Sequence, residues 1–200
     1  MKLYYSGNSP YARRPRMAIR QFDLMDRVEE VDAAPLAAPD NVLKSYGPGG
    51  KVPGLLTDSG AFLCETLIIL NYLDEVSGGR LYPAAGEQRD FAFQIEGVAS
   101  LLMEALYYRA HENRREASEQ SPGFIANEAG RAARCYDAFE GLVDQFVEPV
   151  NMAHLSVVAS LGYADWRHPG DEWRGNRPKL AGWFDAMMEQ PASAETKPIF

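Results

Sequence analysis

A proline placed just ahead of two very short apolar runs, with a turn between them and a helix directly after, leaves this chain few ways to fold. From Gly49 to Asp74 the sequence reads GGKVPGLLTDSGAFLCETLIILNYLD. Leu55-Leu56 stops at the turn cluster Thr57-Asp58-Ser59-Gly60, and Ala61 to Leu63 resumes the apolar pattern, which predicts a β-hairpin. Beyond it Leu67, Leu70, Asn71 and Asp74 alternate faces with Ile68, Ile69, Tyr72 and Leu73, the spacing of a helix. Val52-Pro53 precedes the first strand, where proline cannot donate to the ladder and a cis bond is often kept. Glu65-Thr66 opens the helix beside amides that have no partner within it, so the pair reads either as a cap or as part of a polar site.

Upstream, Lys2 to Tyr5 is a short strand, and Ser9-Pro10 has the form of an N-cap with proline at the first helical position. The helix it opens runs to about Phe22, a strand follows over Val28 to Val31, and Asn41 to Tyr46 is at most a short helix. The order is βαβ and then ββα, the thioredoxin-like arrangement with a right-handed crossover. Ser77-Gly78-Gly79 and Leu81-Tyr82-Pro83-Ala84 break the pattern, and everything later reads as helix: 87–116, 122–148, 152–163 and 178–189. The expected organisation is an α/β domain over residues 1–77, a linker over 78–86 and an all-helical domain over 87–200.

Composition limits the functions open to such a chain. Of its 200 residues 46% are hydrophobic and the mean hydropathy is −0.31, values of a soluble globular protein. No apolar run approaches a membrane span, and MKLYYSGNSPYARR lacks the pattern of a signal peptide, so the expected location is the cytoplasm. Two cysteines, Cys64 and Cys135, are too few for a disulfide framework, and His111, His154 and His168 show no metal-ligand spacing. No metal is expected. A net charge of −8 disfavours nucleic acid or an anionic membrane as partner. The first twenty residues nevertheless hold five charges, all positive: Lys2, Arg13, Arg14, Arg16 and Arg20. They read as a solvated helix face that is also able to draw in an anionic ligand.

Gly-Lys-Val-Pro, a hairpin, and Glu-Thr before a Leu/Ile-rich helix ending Tyr-Leu-Asp-Glu resemble the glutathione-binding half of the cytosolic glutathione transferase superfamily. The later stretch LGYADWRHPGDEWRGNRPKLAGWFDAMMEQPASAETKP resembles the corresponding region of bacterial members. The resemblance covers nearly the whole chain. It implies a thioredoxin-like N-terminal domain with a helical C-terminal domain, glutathione as co-substrate, a small hydrophobic electrophile as acceptor, and a homodimer.

It also implies roles for individual residues. Ser9 is the catalytic candidate, its hydroxyl donating to the glutathione sulfur at the front of the first helix; the plain alternative is an N-cap serving the amide of Ala12. A free thiol with a pKa near 8.5 is only a few per cent thiolate at neutral pH. A donated hydrogen bond and a positive helix end together supply roughly 2–3 kcal/mol of preference for thiolate, and about 1.4 kcal/mol shifts a pKa by one unit. Tyr4 and Tyr5, the rivals, lie within the first strand and rank below Ser9. The absence of cysteine at position 9 favours conjugation over disulfide exchange through the enzyme.

By the same resemblance the main chain of Val52, before Pro53, pairs with the cysteinyl part of glutathione, and Glu65 and Thr66 take its γ-glutamyl end. Lys51 is a candidate for the glycyl carboxylate, with a solvated lysine as the alternative; Leu67 stands where some relatives carry a basic residue. The acceptor is expected between the first helix and the long helix, near Tyr11, Met103, Tyr107, Tyr108 and His111, of which at least half read equally well as core or dimer surface. Relatives often open the buried helix of the second half with Ser/Thr-x-x-Asp; here Asn151-Met152-Ala153-His154 keeps the cap without the acid, and Gln190-Pro191 replaces a common Arg-Pro. Two further functions fit the same fold: a non-catalytic binding or regulatory protein, and a glutathione-dependent reductase, isomerase or lyase.

Overall fold

The computed structural model describes residues 1–198, which form two compact units. The first comprises Met1–Ala84 together with the segment that begins at Gln190; the second is Ala85–Glu189.

In the first unit the elements run β1 (Lys2–Tyr5), α1 (Pro10–Gln21), β2 (Glu29–Asp32), α2 (Leu43–Tyr46), β3 (Gly54–Leu56), β4 (Phe62–Cys64) and α3 (Thr66–Ser77). The strands make one sheet in the order β2-β1-β3-β4, with β1 and β2 parallel and the other pairs antiparallel. Leu3 and Leu55 face each other in register and are fully buried, as are Ala12, Met17, Ala18 and Ile19 of α1 and Ile69, Leu70 and Leu73 of α3. The second strand starts one residue later than the sequence suggests. Val28 is buried in the turn before it, its N–H donating to the carbonyl of Leu24 at 3.0 Å.

The arginines of α1 are not the solvated face that their charge suggested. Arg13, Arg14 and Arg16 are only 3%, 2% and 7% exposed. Arg13 donates to the Ser193 carbonyl at 3.1 Å and to Thr196 Oγ1 at 3.4 Å. Arg16 lies with its Cζ 4.0 Å from the centre of the Tyr5 ring and shares the carboxylate of Glu30 with Arg20, at 3.2 and 2.7 Å. Arg20 also reaches Glu195 at 3.1 Å. These contacts hold α8 (Pro191–Ala194) and the residues after it against α1. The final segment therefore belongs to the first unit, a correction to the boundary that ran the helical domain from 87 to 200. The linker residues make contacts within the first unit: Leu81 N–H donates to Asp74 Oδ1 at 2.8 Å, and Arg80 Nη2 to the Phe22 carbonyl at 2.6 Å.

The second unit consists of α4 (Glu87–Glu112), α5 (Pro122–Leu142), α6 (Met152–Arg167) and α7 (Pro178–Met188), joined by short 3-10 turns. Helix α6 is buried without a break from Met152 to Leu161, and α4 packs on both α5 and α6. Polar groups on the buried helix are satisfied across to α4: Ser156 donates to the Glu96 carboxylate at 2.9 Å and Ser160 to the Ala99 carbonyl at 3.1 Å. Three helix ends differ from the sequence reading. Helix α4 stops at Glu112, whose carboxylate accepts the Ser121 N–H at 2.8 Å as the chain turns. Helix α5 ends at Leu142, just past Gly141; the following turn brings Phe146 within 5.1 Å of Trp183 and 5.3 Å of His154, centre to centre. Helix α6 runs on to Arg167, where the guanidinium lies 3.3 Å from the centre of the Trp166 ring. No described helix is long and apolar enough to cross a membrane.

The capping box of α6 closes without its acid. Asn151 Oδ1 accepts the Ala153 N–H at 3.0 Å, and the Asn151 N–H donates to His154 Nδ1 at 3.3 Å. His154 is buried, which lowers its pKa from 6.5 to about 4 and keeps the ring neutral, as an accepting nitrogen requires. Because the folded value lies below the unfolded one, this group's contribution is fully present above about pH 6.5 and is lost as pH falls toward about 4, at up to roughly 1.4 kcal/mol per pH unit. Chemical denaturation at about pH 7.5 and about pH 5 should show the wild type losing on the order of 2 kcal/mol more than His154→Gln. Equal losses would show that the ring does not titrate with folding.

Candidate active site

Strand register gathers the expected site residues at one end of the sheet. Tyr4 faces Gly54 and Gly54 faces Cys64 across β1, β3 and β4. The loop leaving β1, the segment entering β3 and the residue following β4 therefore open on the same edge. Those three pieces carry Ser9, Val52 and Glu65.

Ser9 is the N-cap of α1, with extended backbone (φ −82°, ψ 116°), and its Oγ accepts the Ala12 N–H at 3.2 Å. Capping uses a lone pair of the hydroxyl; its hydrogen has no acceptor among the described residues. Capping and donation to a ligand are thus compatible. No acidic side chain occupies the first turn of α1. The nearby guanidinia of Arg13 and Arg14, each lowered to about 10 chiefly by burial, remain charged at neutral pH. A helix end of this kind favours an anion.

The Val52–Pro53 bond is cis. Neither the N–H nor the C=O of Val52 makes a hydrogen bond among the described residues, while its side chain packs with Tyr4, Ala33 and Leu43. An open main chain beside β3 suits the addition of a short extended peptide. Lys51 is exposed and has no ion pair among the described residues.

Glu65 occupies the N-cap position of α3 at φ 68°, ψ 127°, a region that favours glycine, and its exposed side chain makes no capping bond. The amides of Thr66, Leu67 and Ile68 have no acceptor among the described residues, so the helix start presents a set of free N–H groups. Thr66 is buried, its hydroxyl making a long contact of 3.5 Å to the carbonyl of Tyr11. That carbonyl lies four residues before Pro15, which has no N–H to offer it.

Tyr4 is buried against Tyr46 and Phe62, with ring centres 5.7 and 6.1 Å away, and burial raises its pKa. Tyr5 is covered by Arg16. The acceptor candidates divide between the units. Tyr11 lies on α1, half-buried; Tyr107, Tyr108 and His111 lie on α4, with Tyr108 and His111 exposed and the Tyr107 and His111 rings 4.0 Å apart. Met103 is fully buried, so the structure assigns it to the core and not to a substrate surface. No group of three or more His, Cys, Asp or Glu side chains among the described residues is placed to hold a metal.

Comparison with known proteins agrees with this geometry. The family profile described as "Glutathione S-transferase, N-terminal domain" matches residues 8–76. A glutathione transferase family member from Pseudomonas fluorescens Pf-5, solved with bound glutathione, is 28% identical with a TM-score of 0.92, covering 100% of this chain and 99% of that one. Residues 8–76 thus carry the N-terminal domain of the glutathione transferases, and the whole chain is similar to members of that superfamily. A second structure of such a member from Pseudomonas fluorescens, with bound S-(propanoic acid)-glutathione, is 26% identical with a TM-score of 0.89 over 100% of both chains. The Escherichia coli K12 protein called "Uncharacterized GST-like protein YibF" is 27% identical over 202 aligned positions, 99% of this chain and 98% of that one. The four-stranded sheet with its helices is thus the thioredoxin-like domain of the superfamily, and the helical unit its C-terminal counterpart.

The backbone at Glu65 gives a direct test. A non-glycine residue held there costs about 1–3 kcal/mol, so Glu65→Gly should be more stable than Glu65→Ala by about 1 kcal/mol in urea denaturation. Equal stabilities would mean that the chain relaxes out of this conformation.

Proposed function

We propose that the protein is a glutathione transferase in which Ser9 activates the glutathione thiol for attack on a small electrophile. The observation that carries this reading is the Ser9 hydroxyl, capping α1 through its oxygen and left with a free hydrogen at the sheet edge where Val52 and the start of α3 also open. Glutathione would lie with its cysteinyl main chain along Val52 as an added strand, its sulfur at the front of α1. Its γ-glutamyl carboxylate would meet the free amides of α3, and its ammonium Glu65. Lys51 would hold the glycyl carboxylate. Tyr11, Tyr107, Tyr108 and His111 are proposed to meet the acceptor. The bound glutathione and S-(propanoic acid)-glutathione of the Pseudomonas fluorescens relatives support a site for the tripeptide and for its thioethers.

In this mechanism Ser9 donates to the sulfur and leaves the proton to solvent, and the helix end stabilises the thiolate. A thiolate with a pKa near 8.5 in water would be lowered by roughly 1.5–2 units. We further propose a homodimer acting in the cytoplasm. Exposed Leu67 and Ile68 on α3 support an association surface, and the sedimenting mass would test it.

Glutathione should raise the unfolding free energy by about 2.7 kcal/mol at 100 times its dissociation constant; no shift at millimolar concentration would leave a fold without this function. Ser9→Ala should retain glutathione while the thiol pKa of the complex, read from thiolate absorbance, rises by about one unit and conjugation of a generic electrophile falls at least about tenfold. Undiminished conjugation would reduce Ser9 to a helix cap. A mixed disulfide turned over faster than any electrophile would make the enzyme a reductase.

A further inference from the structure

Helix α1 is interrupted close to the residue that caps it. Pro15, inside the helix, has no N–H for the Tyr11 carbonyl, so one rung of the ladder is missing between the first turn and the rest. That carbonyl instead meets the Thr66 hydroxyl, at 3.5 Å. The first turn holds Ser9 by both main chain and side chain: Arg13 N–H donates to the Ser9 carbonyl at 3.0 Å, and Ala12 N–H to Ser9 Oγ at 3.2 Å. A tilt of this turn about Pro15 therefore carries the Ser9 hydroxyl with it.

One short segment of the first unit spans the break. Before Pro15, Arg13 donates to the Ser193 carbonyl at 3.1 Å and to Thr196 Oγ1 at 3.4 Å; beyond it, Arg20 donates to the Glu195 carboxylate at 3.1 Å. Thr196 Oγ1 in turn donates to the Ala192 carbonyl at 2.7 Å, which fixes the hydroxyl that Arg13 meets. Arg13, Ser193 and Thr196 are all buried, so water does not compete for these contacts. Arg16 and Arg20 also reach Glu30, at 3.2 and 2.7 Å, but both follow the proline and hold the later turns. The rigid fork of a guanidinium makes such bonds directional, so Arg13 fixes where the first turn points.

We propose that residues 193–196 splint α1 across Pro15, and that Arg13 and Thr196 are positioning residues for the Ser9 hydroxyl. This rests on the transferase reading above and adds that the direction of the hydrogen bond to sulfur is set from the far end of the chain.

The test follows the thiol pKa of glutathione bound to the full chain, read from thiolate absorbance, in Thr196→Val and Arg13→Gln. Each should raise that pKa by about half a unit, which means about threefold less thiolate at any pH well below it. Conjugation of a generic electrophile should fall about threefold there and recover at alkaline pH, with glutathione affinity changed by less than about twofold. Added to Ser9→Ala, neither substitution should move the pKa further. Thr196→Val removes no charge, so a folding defect in Arg13→Gln leaves the test intact. No shift in Thr196→Val, or the same shift with and without the Ser9 hydroxyl, would overturn the positioning role alone, provided that Ser9→Ala by itself raises the pKa. A pKa unmoved by Ser9→Ala, or no binding of glutathione to the wild type, would remove the transferase reading and this one with it.

Discussion

The contact between Phe62 and Gly54 underlies the arrangement of the site. A side chain on Gly54 would place its Cβ 2.3 Å from the tip of the Phe62 ring, so the ring lies where only a bare backbone fits beneath it. This approach fixes β4 against β3, and with it the register that sets Gly54 between Tyr4 and Cys64. A one-residue slip would turn every side chain of a strand to the other face. It would also take the residue after β4 away from the edge that Ser9 and Val52 share. Precision at the ligand end is thus set by packing on the far side of three short strands.

Electrostatics in the first unit work in the same direction. Burying arginines on one helix is costly unless they meet an acceptor or a ring; Arg13 finds the Ser193 carbonyl and Thr196, and Arg16 finds Glu30 and the Tyr5 ring. The positive charge so retained lies on the helix that Ser9 caps. The groups that give this helix its charge are the ones that hold the end of the chain against it.

Much of this was legible in the residues, because the signals were local. Ser9-Pro10 announces a capped helix start, and Val52-Pro53 with the two apolar runs announces a hairpin with an open approach. What stayed hidden depends on partners distant in sequence or on backbone angles. Charge pattern alone made Arg13 a surface residue, since its acceptors lie 180 and 183 positions away. His154 read as a missing acid, although burial turns a neutral imidazole into an acceptor equal to the task. Met103 read as a substrate contact because helical spacing does not say which face a neighbour covers. The positive φ at Glu65 has no sequence mark, and neither does the last turn of α6, which runs past its apolar pattern to Arg167.

The return of the segment after Gln190 to α1 has a bearing on how the chain assembles as it leaves the ribosome. Domains made first usually settle first. Here the arginines of α1 emerge early, yet two of their acceptors, Ser193 and Glu195, are translated only after the whole helical unit. Until then those cations lack part of their shelter, so the amino-terminal unit is completed only when the last segment has been made.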